Sequence, residues 1–178
     1  VSSARNSIIA RGAKFDSSNR FVLKHGMSYK NGYTLPRSSF NIDGTIADAA
    51  KTDTYYKYDT ALKSRALPTA YIIPKTASKA AGAVRKLEQN GISYFEIAPG
   101  SRLTARQFSG TASKTVLKDA AAVTFSKGAY VIPMNQAGAK VIAACLEPDV
   151  KDTAGYKGSF VQSGLIKISN IYRFTGSN

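Results

Sequence analysis

Two stretches of almost the same text constrain the fold most. Ala70-Tyr71-Ile72-Ile73-Pro74 returns 59 positions later as Ala129-Tyr130-Val131-Ile132-Pro133. Each is an apolar, β-branched run led by an aromatic residue, and each stops at a proline. A proline lacks the backbone N–H that would continue a ladder, so it ends a strand. An alanine-rich stretch with helical spacing follows both times. Apolarity here is continuous rather than alternating, which suits a strand covered on both faces. The sequence therefore predicts an α/β protein: a mixed sheet with two repeated strand-Pro-helix units, whose strands run parallel in its middle.

The first unit is legible in detail. Thr76 or Ser78 can cap the helix that follows Pro74. Ala80, Ala83, Val84 and Leu87 form one apolar stripe, while Lys79, Arg85, Lys86 and Glu88 stay wet. Asn90-Gly91 supplies a left-handed stop, and residues 92–97 alternate as a half-buried strand. After the Pro99-Gly100 turn, residues 103–108 and 114–117 pair as strands around Ser109-Gly110-Thr111. Residues 120–125 form another strand, and Ser126-Lys127-Gly128 turns into the second unit. There Asn135 is the expected cap, and Ala137, Val141, Ala144 and Cys145 share a helical face, with Ile142 and Leu146 beside it. In the tail, residues 165–168 and 171–174 read as strand pieces.

The first third of the chain reads differently. Ala4, Ile8 and Ile9 recur at helical spacing up to Gly12, Asp16 to Asn19 is turn chemistry, and residues 21–23 form a short strand. From about Lys24 to Lys63, Gly, Asn, Ser and Thr dominate, with Pro36 interrupting, and the stretch reads as a long excursion with one or two strands packed across another surface. Forty loose residues are unusual inside a compact domain. Residues 1–65 are therefore read as a linker-like segment that leaves something upstream and packs on an α/β domain of residues 66–178. The start at Val1 fits a processed chain or an excised fragment.

Charge and residue types exclude more chemistry than they suggest. The net charge is +14, from 25 basic against 11 acidic residues, and it is spread evenly along the chain. Such a balance favours anionic partners, but no basic run marks a dedicated site. One histidine, His25, and one cysteine, Cys145, cannot supply the three or four converging ligands of a zinc centre. Glu147, Asp149 and Asp152 are the one close group of acids, and at a helix end they read as a solvated turn rather than a calcium site. Cys145 lies in an apolar stripe, the setting of an inert core thiol. No Gly-x-Ser-x-Gly elbow and no phosphate-binding glycine pattern occurs. Tyr55, Tyr56 and Tyr58, with Lys57 and Lys63, could stack sugars or bases, but read first as a stripe against a neighbouring domain. No apolar run approaches the roughly 18–20 residues of a membrane span.

A resemblance adds to this reading. Gly128 to Gln136, continuing through Val141-Ile142-Ala143 to Leu146-Glu147-Pro148-Asp149, resembles the region C-terminal to the catalytic domain of bacterial zinc metallocarboxypeptidases, the clan of carboxypeptidases A and B. Leu67 to Pro74 and Leu87 to Ile92 look like the same region. Ala4-Arg5-Asn6 through Phe21-Val22-Leu23 looks like the junction leaving the peptidase domain. The clan's His-x-x-Glu pair, later zinc histidine, arginine clamp and glutamate base are not in this sequence. No catalytic, cofactor-binding or metal residue is therefore carried over.

The resemblance implies a non-catalytic C-terminal accessory domain that serves stability, interdomain packing or substrate placement. Zinc and proteolysis would belong to the parent alone, and the parent would be secreted or displayed at the cell surface. The lone cysteine suits the cytoplasm equally well. The expected partners are the upstream peptidase domain of the same polypeptide and an anionic polymer; nucleic acid is disfavoured. The competing expectation is a basic binding module for anionic cell-wall polymer or nucleic acid. The sheet is also similar to amidotransferase-like three-layer sandwiches, whose cysteine-centred triad is absent here.

Overall fold

A computed structural model describes residues 20–37, 41–43, 45, 51–150 and 158–176, together with residues 4, 6 and 8. Two strands come first, β1 (Arg20–Arg37) and β2 (Lys51–Ala66), followed by β3 (Ala70–Pro74). Helix α1 (Ala80–Glu88) leads to β4 (Phe95–Ile97), β5 (Ser101–Gly110), β6 (Thr115–Leu117) and β7 (Ala121–Phe125). The second unit is β8 (Ala129–Pro133) and α2 (Ala139–Leu146); a 3-10 turn over Ile168–Asn170 and β9 (Tyr172–Phe174) close the chain. The α/β class and both strand-Pro-helix units are present.

The pairing corrects one expectation. β3 and β8 are adjacent but antiparallel, in a register that sets Ala70 against Pro133, Ile72 against Val131 and Pro74 against Ala129. The two copies thus face each other about a local pseudo-dyad, each proline opposite the other's leading alanine. β4 pairs antiparallel with β8, and β9 pairs antiparallel with β3, giving the order β4-β8-β3-β9. Within these four strands, parallel ones meet across an intervening strand: β3 with β4 around β8, and β8 with β9 around β3. This is the interlocked split β-α-β arrangement of ferredoxin-like sheets. Each parallel pair needs a helical crossover, and here the crossovers are α1 and the α2 segment. The hairpin of β5 with β6 and β7 is added beyond β9, completing a seven-stranded sheet.

Alternation within β3 explains the core. Tyr71 and Ile73 enter one cluster with Ala80, Ala83, Val84 and Leu87 of α1 and Ile142, Ala143 and Leu146 of α2. Both helices therefore cover the same face. Ala70 and Ile72 point to the other face, among Leu103, Phe125, Val131 and Ile8. All five β3 residues are buried, as a strand covered on both faces requires.

The α1 stripe is the expected one. Its end is also as expected: Gly91 sits at φ +73, and the Ile92 N–H returns to the Leu87 carbonyl at 3.1 Å. Its start differs, because Lys79 occupies the cap position at φ 62 and no side chain caps the helix. In α2 the buried face is Ile142, Ala143 and Leu146, while Val141 is 44% exposed, so the expected face is corrected by about a quarter turn. Gly138, not Asn135, is its cap position. Residues 165–167 are bend and irregular chain rather than strand, and Ile168 opens the 3-10 segment. Gly128 is required where it stands: at φ +76, an added Cβ would lie 2.3 Å from the Ile97 carbonyl oxygen.

The stretch read as a long excursion with one or two strands holds two, and they are long. β1 and β2 pair antiparallel from Arg20 opposite Ala66 to Arg37 opposite Lys51, as a separate two-stranded sheet. Sixteen to eighteen residues at about 3.3 Å each make a ribbon roughly 50 Å long, its ladder interrupted by register shifts between Ser28 and Tyr33 and nearer its base. Ala4, Asn6 and Ile8 are helical, as expected; Gly12 and Asp16 to Asn19 lie outside the described residues.

Candidate functional site

The polar groups that converge at this site come from four elements. Lys63 and Arg65 are two apart on β2, which places them on one side of an extended strand. Glu147 and Asp149 are also two apart, and Glu147 ends α2 in an extended conformation at φ −78 and ψ 117. Two cations at alternate positions thus meet two carboxylates at alternate positions. Tyr71 of β3 and Arg173 of β9 reach the same place through the sheet, and Phe108 of β5 lies beneath both arginines.

Asp149 takes two hydrogen bonds from Arg65, Nη1 to Oδ1 at 2.8 Å and Nη2 to Oδ2 at 3.1 Å, in a fork that fits a carboxylate. Lys63 Nζ adds a third to Oδ2 at 2.5 Å. Glu147 accepts from Arg65 through Oε2 and from the Tyr71 hydroxyl, 2.5 Å from Oε1. Arg173 donates through Nη2 to the Ala66 carbonyl. Its Nε lies 3.3 Å from Glu147 Oε1, near enough for charge attraction but not aligned for a hydrogen bond. The Arg65 guanidinium carbon is 5.2 Å from the Phe108 ring centre, within cation–π range.

Glu147 and Asp149 are 1% and 4% exposed, which corrects the solvated turn read from the sequence. Isolated carboxylates would not stay ionised at that depth, so partners are obligatory. Burial alone would raise the Asp149 pKa; hydrogen bonds from Arg65 and Lys63 outweigh it and hold the carboxyl below its ordinary value. Burial likewise opposes the charge of Arg65, and the hydrogen bond to Asp149 with the charge of Glu147 leaves its pKa raised. Burial first and the Glu147 charge second push the Tyr71 hydroxyl well up, so it remains a proton donor. Every oxygen of the two carboxylates is directed at a partner in the same cluster, and the cluster joins the ribbon base to the sheet and the end of α2.

The other residues singled out in the sequence do not gather. His25 is exposed on β1, opposite Ala61. Cys145 is half-buried in α2, and burial pushes its thiol pKa up, away from the reactive thiolate. Asp152 and the side chains of Tyr55, Lys57, Tyr56 and Tyr58 lie outside the described ones. Among the described residues, no group of three or more His, Cys, Asp or Glu side chains is close enough to hold a metal ion. No helix among the described residues is long and apolar enough to cross a membrane.

The strand ends that follow the two prolines are the obvious place for a ligand, since open parallel sheets bind there. Antiparallel pairing sends them to opposite ends of the sheet. After Pro74, Lys75 pairs with Glu96 at 2.5 Å and lies 5.3 Å from the Tyr130 ring centre. After Pro133, Gln136 clamps the backbone instead. Its Oε1 accepts from the Ser93 N–H at 2.8 Å, and its Nε2 donates to the Ser93 and Pro133 carbonyls.

Lys63, Arg65, Tyr71 and Arg173 are not recognisable as one site in the sequence. The matched spacing, Lys63-x-Arg65 and Glu147-x-Asp149, is the available signal. Compared with protein-family models, with curated proteins and with solved structures, the chain gives no match.

Proposed function

We propose that this chain is a non-catalytic accessory domain of a zinc metallocarboxypeptidase, serving stability and interdomain packing. The observation that carries this reading is the commitment of Glu147 and Asp149. Carboxylates used as acids, bases or ligands must face a substrate or a metal; these two face Arg65, Lys63, Arg173 and Tyr71 at hydrogen-bond or ion-pair range. The resemblance of residues 67–74, 87–92 and 128–149 to the region beyond such catalytic domains supports this choice of parent. Zinc would then sit in that parent's own peptidase domain, and the parent would be exported.

The test is direct. The purified chain, dialysed against zinc, is expected to retain no stoichiometric metal and to release no C-terminal residue from a blocked dipeptide. Turnover that disappears on chelation would overturn the reading.

A second reading, a basic module for an anionic cell-wall polymer, is favoured by the composition of the ribbon. Its two strands hold eight lysines and arginines against two aspartates. Retention on a poly(glycerol phosphate) matrix that falls steeply with added salt would support it; free passage at low salt would exclude it.

A further inference from the structure

At the foot of the ribbon, β1 and α2 enclose a groove of about 440 Å³ that the ion-pair cluster does not use. Its floor is apolar: Phe21, the fully buried Leu23, and Val150. Its rim carries Arg20, His25 and Lys140. Among the described residues no carboxylate lines it. The volume lies in the range of small-molecule sites and has room for about 15 groups of water size, at ~30 Å³ each.

Arg20 is held in place before any ligand arrives. Its Nε donates to Ser64 Oγ at 2.8 Å and its Nη2 to the Ser64 carbonyl at 2.9 Å. Both bonds run across the ladder to β2, so they fix the plane of the guanidinium. Nη1 is left unused by the described residues. A guanidinium fixed on one side offers its remaining donors to an anion at low entropic cost. Lys140, on the first turn of α2, brings a second positive charge to the rim. Apolar floor and cationic rim together define the ligand.

We propose that this groove binds an amphiphilic monocarboxylate, with its apolar chain on Phe21, Leu23 and Val150 and its carboxylate at Arg20 and Lys140. The proposal does not rest on the accessory-domain reading. Two sources supply that chemistry: a medium-chain fatty acid, and the free C-terminus of a peptide ending in an apolar residue.

The test is titration of the full chain, followed by backbone amide NMR shifts, with four probes. These are decanoate, decanol, a short peptide ending in leucine with a free carboxylate, and the same peptide amidated. Saturable shifts at Phe21, Leu23, Lys140 and Val150 are expected with decanoate or with the free peptide, and whichever binds names the source. The matching decanol or amide should bind at least about tenfold more weakly, since a charge-assisted hydrogen bond is lost. Lys140→Gln, which leaves the Arg20–Ser64 bonds intact, should weaken binding severalfold, and Arg20→Gln should weaken it further; Lys127→Gln should do neither. Equal binding of the neutral probes, shifts scattered over the surface, or full affinity in Lys140→Gln would overturn the proposal.

Discussion

The two strand-Pro-helix units begin alike and end in opposite electrostatic settings. The first places its ion pair on the surface, where Lys75 and Glu96 keep 31% and 51% of their side chains exposed. The second runs into Glu147 and Asp149, whose side chains are 1% and 3% exposed beneath Arg65 and Arg173. The separations are similar, 2.5 Å for Lys75 to Glu96 and 2.8 Å for Arg65 to Asp149. What differs is water. A surface pair exchanges good solvation for a screened attraction and gains little. A buried pair, once one member is removed, leaves a charge that has nowhere to go. Distance therefore does not rank these contacts, whereas burial does.

Substitutions can break that ranking in order. The largest effect belongs to the shared centre: Ile132→Asp puts an unpaired charge between two covered faces and should unfold the domain. It removes about 1.5–3 kcal/mol of apolar burial before the cost of the charge, out of a total stability of ~5–15 kcal/mol. An unchanged melting temperature would show that β8 is not a core strand. Glu147→Gln comes next. It leaves Arg173 buried beside a neutral group and should cost about 3–5 kcal/mol in urea unfolding; a loss no larger than that of a surface substitution would remove the distinction between the two pairs.

Acid should reveal the same asymmetry. Asp149 is held below its ordinary value in the folded chain, so its contribution is fully present above the unfolded carboxyl pKa. It is lost as pH falls through the folded value, in a window that opens near pH 4 and extends downward. Arg65→Met should flatten that acid limb, and an unaltered limb would contradict the assignment. The smallest effect is expected at the surface, where Lys75→Met should leave the melting temperature where it was.

The units themselves are readable because their signals are local. The α1 stripe, the Asn90-Gly91 stop and the two apolar runs lie within a few residues of the structure they specify. The α2 face is not readable, because Val141 to Leu146 is apolar at every position and a continuous run carries no period. The length and pairing of the ribbon's strands escape sequence reading for the reverse reason. Its first strand carries Gly26, Ser28, Asn31 and Gly32, residues typical of turns, and neither strand shows sustained apolar alternation. Its order comes from cross-strand pairing between residues as far apart as Arg20 and Ala66.

The buried cluster is hidden by the same distance. Asp149 sits in a Pro-Asp turn that looks solvated until Arg65, 84 positions earlier, is brought against it. Antiparallel pairing of the two units is likewise set by what lies between them. The hairpin of β5 with β6 and β7 separates the units, and each parallel partner is reached only across a strand of the other unit. A repeat in sequence fixes two similar elements but not their mutual direction.

The central claim is that the buried cluster fastens the ribbon base to the sheet. Asp149 tests it most directly, because its hydrogen bonds go to Lys63 and Arg65 of β2. Hydrogen exchange should be compared between the native chain and Asp149→Asn, at the amides of residues 21–23 and 64–66 and at those of β3 and β8. Fastening predicts that the ribbon base exchanges at least about tenfold faster in the variant, a loss of roughly 1–3 kcal/mol, while β3 and β8 keep their protection. Unchanged exchange at the ribbon base would contradict it.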